Sequence, residues 1–363
     1  MEGKVSVCGG SGRPAGLMQK YDIDKTYEWN YDHSPERVEA EVPRVPGNWQ
    51  VFGIRVNSPL GIPAGPLLNS RWVSYYAGLG FDVLTYKTVR SEKRVCYDLP
   101  NLVPIRESVV DTPGQDTCVD ASRRGGSWAI SFGMPSMEPA LWKQDVCTAR
   151  KALGQGQVLI VSVVGSIGQE DSLGELAADY GRCARWAVES GAHAVEANFS
   201  CPNVTTSDGM LYQMPGQAQG VARVLREAVG ATPLILKIGH LRDRDEAAAL
   251  LSAVDPYVNA VCIVNTISAR VLDADGKALF GGASRGIGGP AIRAECVRQV
   301  RMVRSIIEER QLGMEVIGVG GASDAQGVRA FLDAGARIVQ MATAVMGDPM
   351  VGIGIRRAMA GGG

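Results

Sequence analysis

Histidine is scarce in this chain: three residues in 363, His33, His193 and His240. That is too few imidazoles to suggest a zinc or non-haem iron centre, whose ligand sets lean on His and Cys. Eight cysteines are scattered without a single C-x-x-C pair. A chain this long needs no disulfide staples, so most are read as buried reduced thiols. No apolar run approaches the roughly 18 residues that a membrane span requires. Residues 1–16 are polar and Gly-rich, without the hydrophobic stretch of a secretory signal, which makes the cytoplasm the expected location. With 37 basic and 38 acidic residues the net charge is −1, which gives no electrostatic reason for a nucleic-acid partner or an acidic membrane surface. What abounds is glycine, 45 residues, clustered after apolar runs where a backbone must turn tightly or approach a ligand.

From about residue 60 the chain alternates. Short apolar runs ending in Gly, Asn or Lys are followed by stretches of helical period. Strands are expected at 60–64, 82–87, 158–164, 194–198, 234–238, 260–265, 315–319 and 338–342. Helices are expected near 70–79, 138–153, 172–190, 217–229, 243–254, 290–310, 323–334 and 348–359. Asp171-Ser172 and Ser323-Asp324 are start signals, as are Pro290 and Pro349 in a first turn. Eight strands alternating with eight helices over about 300 residues fit a (β/α)8 barrel in size and pattern. A doubly wound open sheet is the alternative, but no G-x-G-x-x-G follows the first strand. The barrel is expected over residues 47–363, preceded at 1–46 by a tail and an arm packed on it. Residues 91–128 and 266–289 are long connections that, with the arm, are placed to cover the barrel's mouth.

Barrel sites sit at the C-terminal ends of the strands. The residues there are Ala64-Gly65, Lys87-Thr88, Ser162, Asn198 to Asn203, Lys237, Asn265-Thr266, Gly320-Gly321 and Ala342-Thr343. The richest stretch is Val195 to Asn203, a strand that stops in Asn198, Ser200, Cys201 and Asn203. Its carboxamides can read a planar ring with hydrogen-bonding edges, and its thiol can act as base or nucleophile. Gly320-Gly321 and Ala342-Thr343 each precede a helix at strands seven and eight, the usual place for a barrel phosphate cup; Gly288-Gly289 before Pro290 offers further amides. Taken singly, each pair also fits an ordinary strand-to-loop glycine. Together they point to a phosphate-bearing cofactor. Lys87 and Lys237 end strands two and five, where a buried ammonium must be paired or meet an anion.

These residues resemble the dihydroorotate dehydrogenases over about residues 50 to 360. The motifs, in the family's order, are Asn57–Gly65, Lys87-Thr88, Ser131–Pro135, Asn198–Asn203, Lys237, Asn265–Ile267, Gly286–Gly289, Gly318–Gly321 and Ala342-Thr343. The resemblance implies a (β/α)8 barrel that binds FMN. Its phosphate would lie on Gly288, Gly289, Gly320, Gly321, Ala342 and Thr343. Its ring would meet Ala64, Gly65, Lys87, Asn198 and Lys237, with Thr88, Ser162 and Val264 as further cofactor contacts. Substrate would be held by Lys87, Asn198, Asn203, Asn265, Thr266 and the backbone of Phe132, Gly133 and Met134. Cys201 matches the base that takes the C5 proton of dihydroorotate while a hydride leaves C6 for flavin N5. Cysteine marks the soluble class, whose fumarate-linked members are homodimers, so a homodimer is expected; other soluble members pass electrons to an iron–sulfur partner.

Ile130 stands where that class has an asparagine that helps hold orotate, Ser136 replaces another, and Thr266 replaces serine. These departures fall on the substrate side, and the connection carrying them is long and includes Arg123-Arg124, read as a solvated loop or as a new anion contact. Three readings follow: a dihydroorotate dehydrogenase; a relative acting on the C=C or CH–CH bond of another cyclic amide or enone; and a flavin-free barrel that only binds. Lys87, Cys201 and Lys237 weigh against the last. His193 and His240 are expected at the surface or behind the site, and the aromatics at 21–31 as packing.

Overall fold

The structure, a computed structural model, describes residues 18–106, 108–122, 126–166, 172–200 and 210–361. The arm carries α1 (Tyr27–Asp32), and a hairpin of β1 (Gln50–Val51) and β2 (Ile54–Arg55) follows it. The repeat then begins with β3 (Leu60–Ile62), α2 (Ser70–Gly78) and β4 (Val83–Val89). After a long connection holding β5 (Leu102–Pro104), β6 (Asp116–Cys118) and β7 (Trp128–Ile130) come α3 (Pro139–Ala152), β8 (Val158–Val163), α4 (Leu173–Glu189), β9 (Ala194–Asn198), α5 (Pro215–Val229), β10 (Leu234–Lys237), α6 (Arg244–Val254) and β11 (Ala260–Ile263). A second long connection holds β12 (Ile267–Leu272) and β13 (Arg285–Gly288). The chain ends with α7 (Arg293–Glu309), β14 (Glu315–Val319), α8 (Ala325–Asp333), β15 (Ile338–Gln340), α9 (Thr343–Gly347) and α10 (Val351–Ala360).

Strands β3, β4, β8, β9, β10, β11, β14 and β15 close into a parallel barrel in that order. The expected (β/α)8 fold is therefore present. The helix starts follow local chemistry: Ser172 accepts from the Glu175 N–H at 3.1 Å, and Asp324 accepts from the Gly327 N–H at 2.6 Å. Two expected helices differ in detail. The one at 290–310 begins with a tight 3₁₀ turn at Pro290–Ile292, and the one at 348–359 starts at Val351, preceded by a short α9 that was not expected.

Inside the barrel, alternate residues of each strand point inward. The lower layers are apolar: Val83, Val158, Ile160, Ala194, Ile235, Ala260, Ile317 and Ile338 are all buried. Val51 and Val56 pack into the same cluster, so the hairpin closes the N-terminal end. Burying these side chains favours the closed barrel at roughly 25 cal/mol per Å² of apolar surface, and it leaves the opposite end as the open one.

That end is covered by structure that local periodicity did not reveal. Strands β5, β7, β13, β12 and β6 form one five-stranded sheet, drawn from both long connections. Three of these strands are only three residues long, too short for a readable alternation. The arm packs beside it. Trp72 donates to the Asn30 carbonyl at 3.1 Å and Tyr75 to the Gln19 carbonyl at 2.8 Å. Tyr21 and Tyr27 both set their edges against Phe132. No helix among the described residues is long and apolar enough to cross a membrane.

Candidate active site

Between the strand ends and the five-stranded sheet lies a cavity of about 460 Å³. The barrel contributes Ala64, Gly65, Lys87, Thr88, Asn198, Ser200, Lys237, Asn265, Thr266, Ala342 and Thr343. The covering segments contribute Trp128, Ile130, Ser131, Phe132, Gly133, Met134, Arg285 and Gly286. Ligand pockets are of this size and mix apolar walls with a few placed polar groups.

The polar groups are held in a chain. Asn265 Nδ2 donates to Ser200 Oγ at 2.6 Å, and Ser200 Oγ donates to Asn198 Oδ1 at 2.8 Å. Asn198 Nδ2 in turn faces Met134 Sδ at 3.3 Å, and the Tyr180 hydroxyl holds the Asn198 carbonyl at 2.7 Å. Two strand ends, those of β9 and β11, and the covering loop are thereby tied together. Thr88 Oγ1 and Ser162 Oγ lie 3.0 Å apart, so Ser162 stands behind Thr88 instead of on the wall.

Beneath this chain the barrel interior turns polar. Gln340 donates to Thr85 Oγ1 at 3.0 Å and accepts from Cys262 Sγ at 3.3 Å. Glu196, wholly buried, and Lys237, 3 % exposed, share the same layer. Burial works against the Lys237 ammonium, but Cys262 and Glu196 outweigh it and hold the lysine above its ordinary value. Neither Glu196 side-chain oxygen has a hydrogen-bond partner among the described residues, and Glu196 is one of the groups that favour the Lys237 ammonium. Lys237 is thus a cation kept charged at the cavity floor.

At the other end of the cavity, Ala342 and Thr343 lead into α9. Gly289, Gly320 and Gly321 sit just behind them, all at left-handed φ of 106°, 124° and 87°. A Cβ on Gly321 would come within 2.4 Å of the Gly289 carbonyl oxygen. The two loops stack backbone on backbone, which only glycine permits. Gly288 lies against Thr343, where an added Cβ would be 3.4 Å from Thr343 Cγ2. Val264 is buried and donates to the Val319 carbonyl at 2.9 Å; Val319 lines the cavity.

Cys201 and Asn203 lie outside the described residues, as do Arg123 and Arg124. Cys201 follows directly on Ser200, which is on the wall. The other thiols near the barrel are protected. Burial pushes Cys96 up to about 12 and raises Cys183, Cys262 and Cys296 well above the usual thiol value. No described cysteine lines the cavity. Both described histidines beyond the arm are occupied elsewhere. His193 Nδ1 accepts from the Leu159 N–H at 2.9 Å, and His240 Nε2 meets Glu295 Oε1 at 2.7 Å. Among the described residues no cluster of His, Cys, Asp or Glu could hold a metal ion. Ser136 is also structural: it accepts from the Arg90 N–H at 3.0 Å and pins the base of the covering loop, away from the cavity wall.

Sequence reading did not single out Trp128, Ser131 and Arg285 as wall residues. They reach the cavity only because two segments about 150 positions apart pair as β7 and β13, with Arg285 Nε donating to Ser131 Oγ at 3.0 Å. Ile130 does line the cavity.

A closed parallel barrel with buried lysine, amides and glycine loops gathered at its C-terminal mouth defines a barrel enzyme with a polar pocket at that mouth. Comparison with known proteins makes this specific. The profile of the Dihydroorotate dehydrogenase family matches residues 48–360, and the chain belongs to that family. It is 32% identical over 358 residues to the Dihydroorotate dehydrogenase of Dictyostelium discoideum, covering 91% of this chain and 95% of that one. It is 27% identical over 303 residues to the Dihydroorotate dehydrogenase B (NAD(+)), catalytic subunit, of Desulforudis audaxviator, covering 82% and 86%. A subunit of the same name from Thermodesulfovibrio yellowstonii is 33% identical over 171 residues, about half of each chain. The protein is an oxidoreductase acting on a CH–CH bond.

Proposed function

We propose that this protein oxidises dihydroorotate to orotate at the described cavity with the help of bound FMN. The observation that carries the reading is Lys237: a wholly enclosed ammonium, kept charged, at the floor of a pocket whose far end is a stack of glycine backbones. That donor set fits FMN. Gly288, Gly289, Gly320, Gly321, Ala342 and Thr343 would hold its phosphate, and the short α9 after the eighth strand is where barrels commonly place one. Ala64, Gly65, Lys87, Thr88, Asn198 and Lys237 would line its ring. When bound, FMN supplies the acceptor for the hydride that leaves C6 of the substrate.

The chain's own residues do the rest. Cys201 takes the proton from C5, so that the C5=C6 double bond forms as the hydride departs. An unperturbed thiol, with a pKa near 8.5, works as a base close to neutral pH with little help. Its position in sequence beside Ser200 supports the assignment, as does the protected state of Cys96 and Cys262. Asn198, Ser200 and Asn265, joined in a hydrogen-bonded chain, would orient the ring, with Asn203, Thr266 and the backbone of Phe132, Gly133 and Met134 completing the grip. Lys237 would face the flavin edge that gains negative charge.

Replacing Cys201 with Ala tests this directly. Reduction of bound flavin by dihydroorotate should slow by about 10²–10⁴, with flavin content unchanged; an unaltered rate would remove Cys201 from the mechanism. A second reading keeps the half-reaction and changes the substrate to another cyclic amide or enone. The aliphatic wall of Ile130 favours it, since that side chain offers a polar ring nothing.

A further inference from the structure

Beside the cavity lies a second space of about 480 Å³, bordered by Leu99, Leu279 and Phe280. Tyr97, Ser131 and Arg285 border both spaces, so the Arg285 side chain stands between the two. Arg285 is half-buried and held in place: Nε donates to Ser131 Oγ at 3.0 Å and Nη1 to the Ser284 carbonyl at 3.0 Å, while its plane lies over the Phe280 ring, 4.7 Å from the centroid. A guanidinium carries more donors than these two bonds use. No carboxylate lies within ion-pair distance of it among the described residues.

The neighbouring residue brings this cation to the substrate side. Gly286 pairs with Ile130, and a Cβ placed on it would sit 2.4 Å from Thr266 Oγ1, so the β13 backbone touches the residue that ends β11's loop. Paired with Gly286 on β7 is the methyl-bearing Ile130, which donates nothing, with Ser131 next to it in sequence and Arg285 next to Gly286. Lys237 and Lys87 are sunk in the barrel, 3 % and 7 % exposed. Among the described residues lining the cavity, Arg285 is the half-buried cation, and it also borders the second space.

We infer that Arg285 receives the anionic substituent of the substrate and selects a carboxylate-bearing ring over the same ring without one. This rests on the proposed function and names the group that sets its substrate class. The fork geometry of guanidinium suits a carboxylate, and the Phe280 face strips water from one side, which strengthens a charge-assisted bond. Ser131 and Phe280 would act by holding the fork open.

The test is a titration of FMN-loaded, full-length protein with orotate and, separately, with uracil, which is the same ring lacking the carboxylate, followed by the change in flavin absorption. In wild-type protein orotate should bind more tightly. In Arg285→Gln the orotate affinity should fall by about 10- to 100-fold while uracil affinity stays put, and Arg285→Lys should recover part of the loss. An orotate-to-uracil affinity ratio unchanged by Arg285→Gln overturns the inference and leaves the proposed function standing. A yellow wild-type protein whose spectrum ignores orotate overturns the substrate reading, and the inference falls with it. The ratio is taken within one protein, so a general loss of fold cannot imitate the expected result.

Discussion

At the scale of single residues, Lys237 and Glu196 are the two buried ionisable groups of the barrel interior, coupled through charge. Removing one partner of a buried pair strands the other, and costs about 3–5 kcal/mol. Lys237→Met should therefore lower the urea midpoint sharply and weaken FMN binding. Adding Glu196→Gln should restore most of the stability without restoring flavin affinity. If the double variant is no more stable than the single one, the two side chains are not coupled. Because the lysine is held above its ordinary value, its contribution is complete below about pH 10 and fades only as pH rises through the folded value. It adds no pH dependence near neutrality. His193 behaves oppositely. Burial, then Arg150, holds it below the ordinary imidazole value, so the folded state binds the proton less well than the unfolded chain. Stability from it is full above about pH 6.5 and declines as pH drops below. Thermal melts at pH 7.5 and pH 5 should show a loss on acidification that His193→Asn lacks, since an amide oxygen can accept the Leu159 N–H without titrating. An equal loss in both proteins would discard the assignment.

At the scale of elements, the arm and the covering sheet explain why some parts of the site were legible and others were not. The eight barrel strands announce themselves as apolar runs ending in Lys, Asn or Gly, and Ala194–Asn198 falls where expected. Lys87, Asn198 and Lys237 could be placed because a strand's last inward residue in a barrel has one destination, the mouth. The cover could not be read this way. Its strands are short, its pairing joins segments far apart in sequence, and Arg285 gains its place from a partner 154 residues away. The arm was visible only as an aromatic cluster; its contact with Phe132 is tertiary. That contact predicts a division of labour. Tyr27→Ala should loosen the Phe132–Met134 backbone, raising the KM for substrate while leaving FMN content as in the wild type. A matched loss of flavin would mean that the arm supports the whole barrel and not the substrate wall. The hairpin end carries the opposite duty. Ile235→Ala, in the apolar layer beneath the site, should cost about 2–5 kcal/mol in urea unfolding with little effect on KM.

At the scale of the whole molecule, the chain is a barrel sealed apolar at one end and polar at the other, with membership in the Dihydroorotate dehydrogenase family across residues 48–360. In the proposed function the strand ends bear the chemistry and the covering sheet supplies part of the substrate wall, while the apolar layers are buried beneath. The central claim is that this mouth carries out dihydroorotate oxidation with FMN in place. The most direct measurement is to mix the purified, FMN-loaded protein with L-dihydroorotate under anaerobic conditions and follow the visible flavin band. The account predicts rapid bleaching that depends on Cys201. A protein that holds FMN yet stays yellow would contradict it.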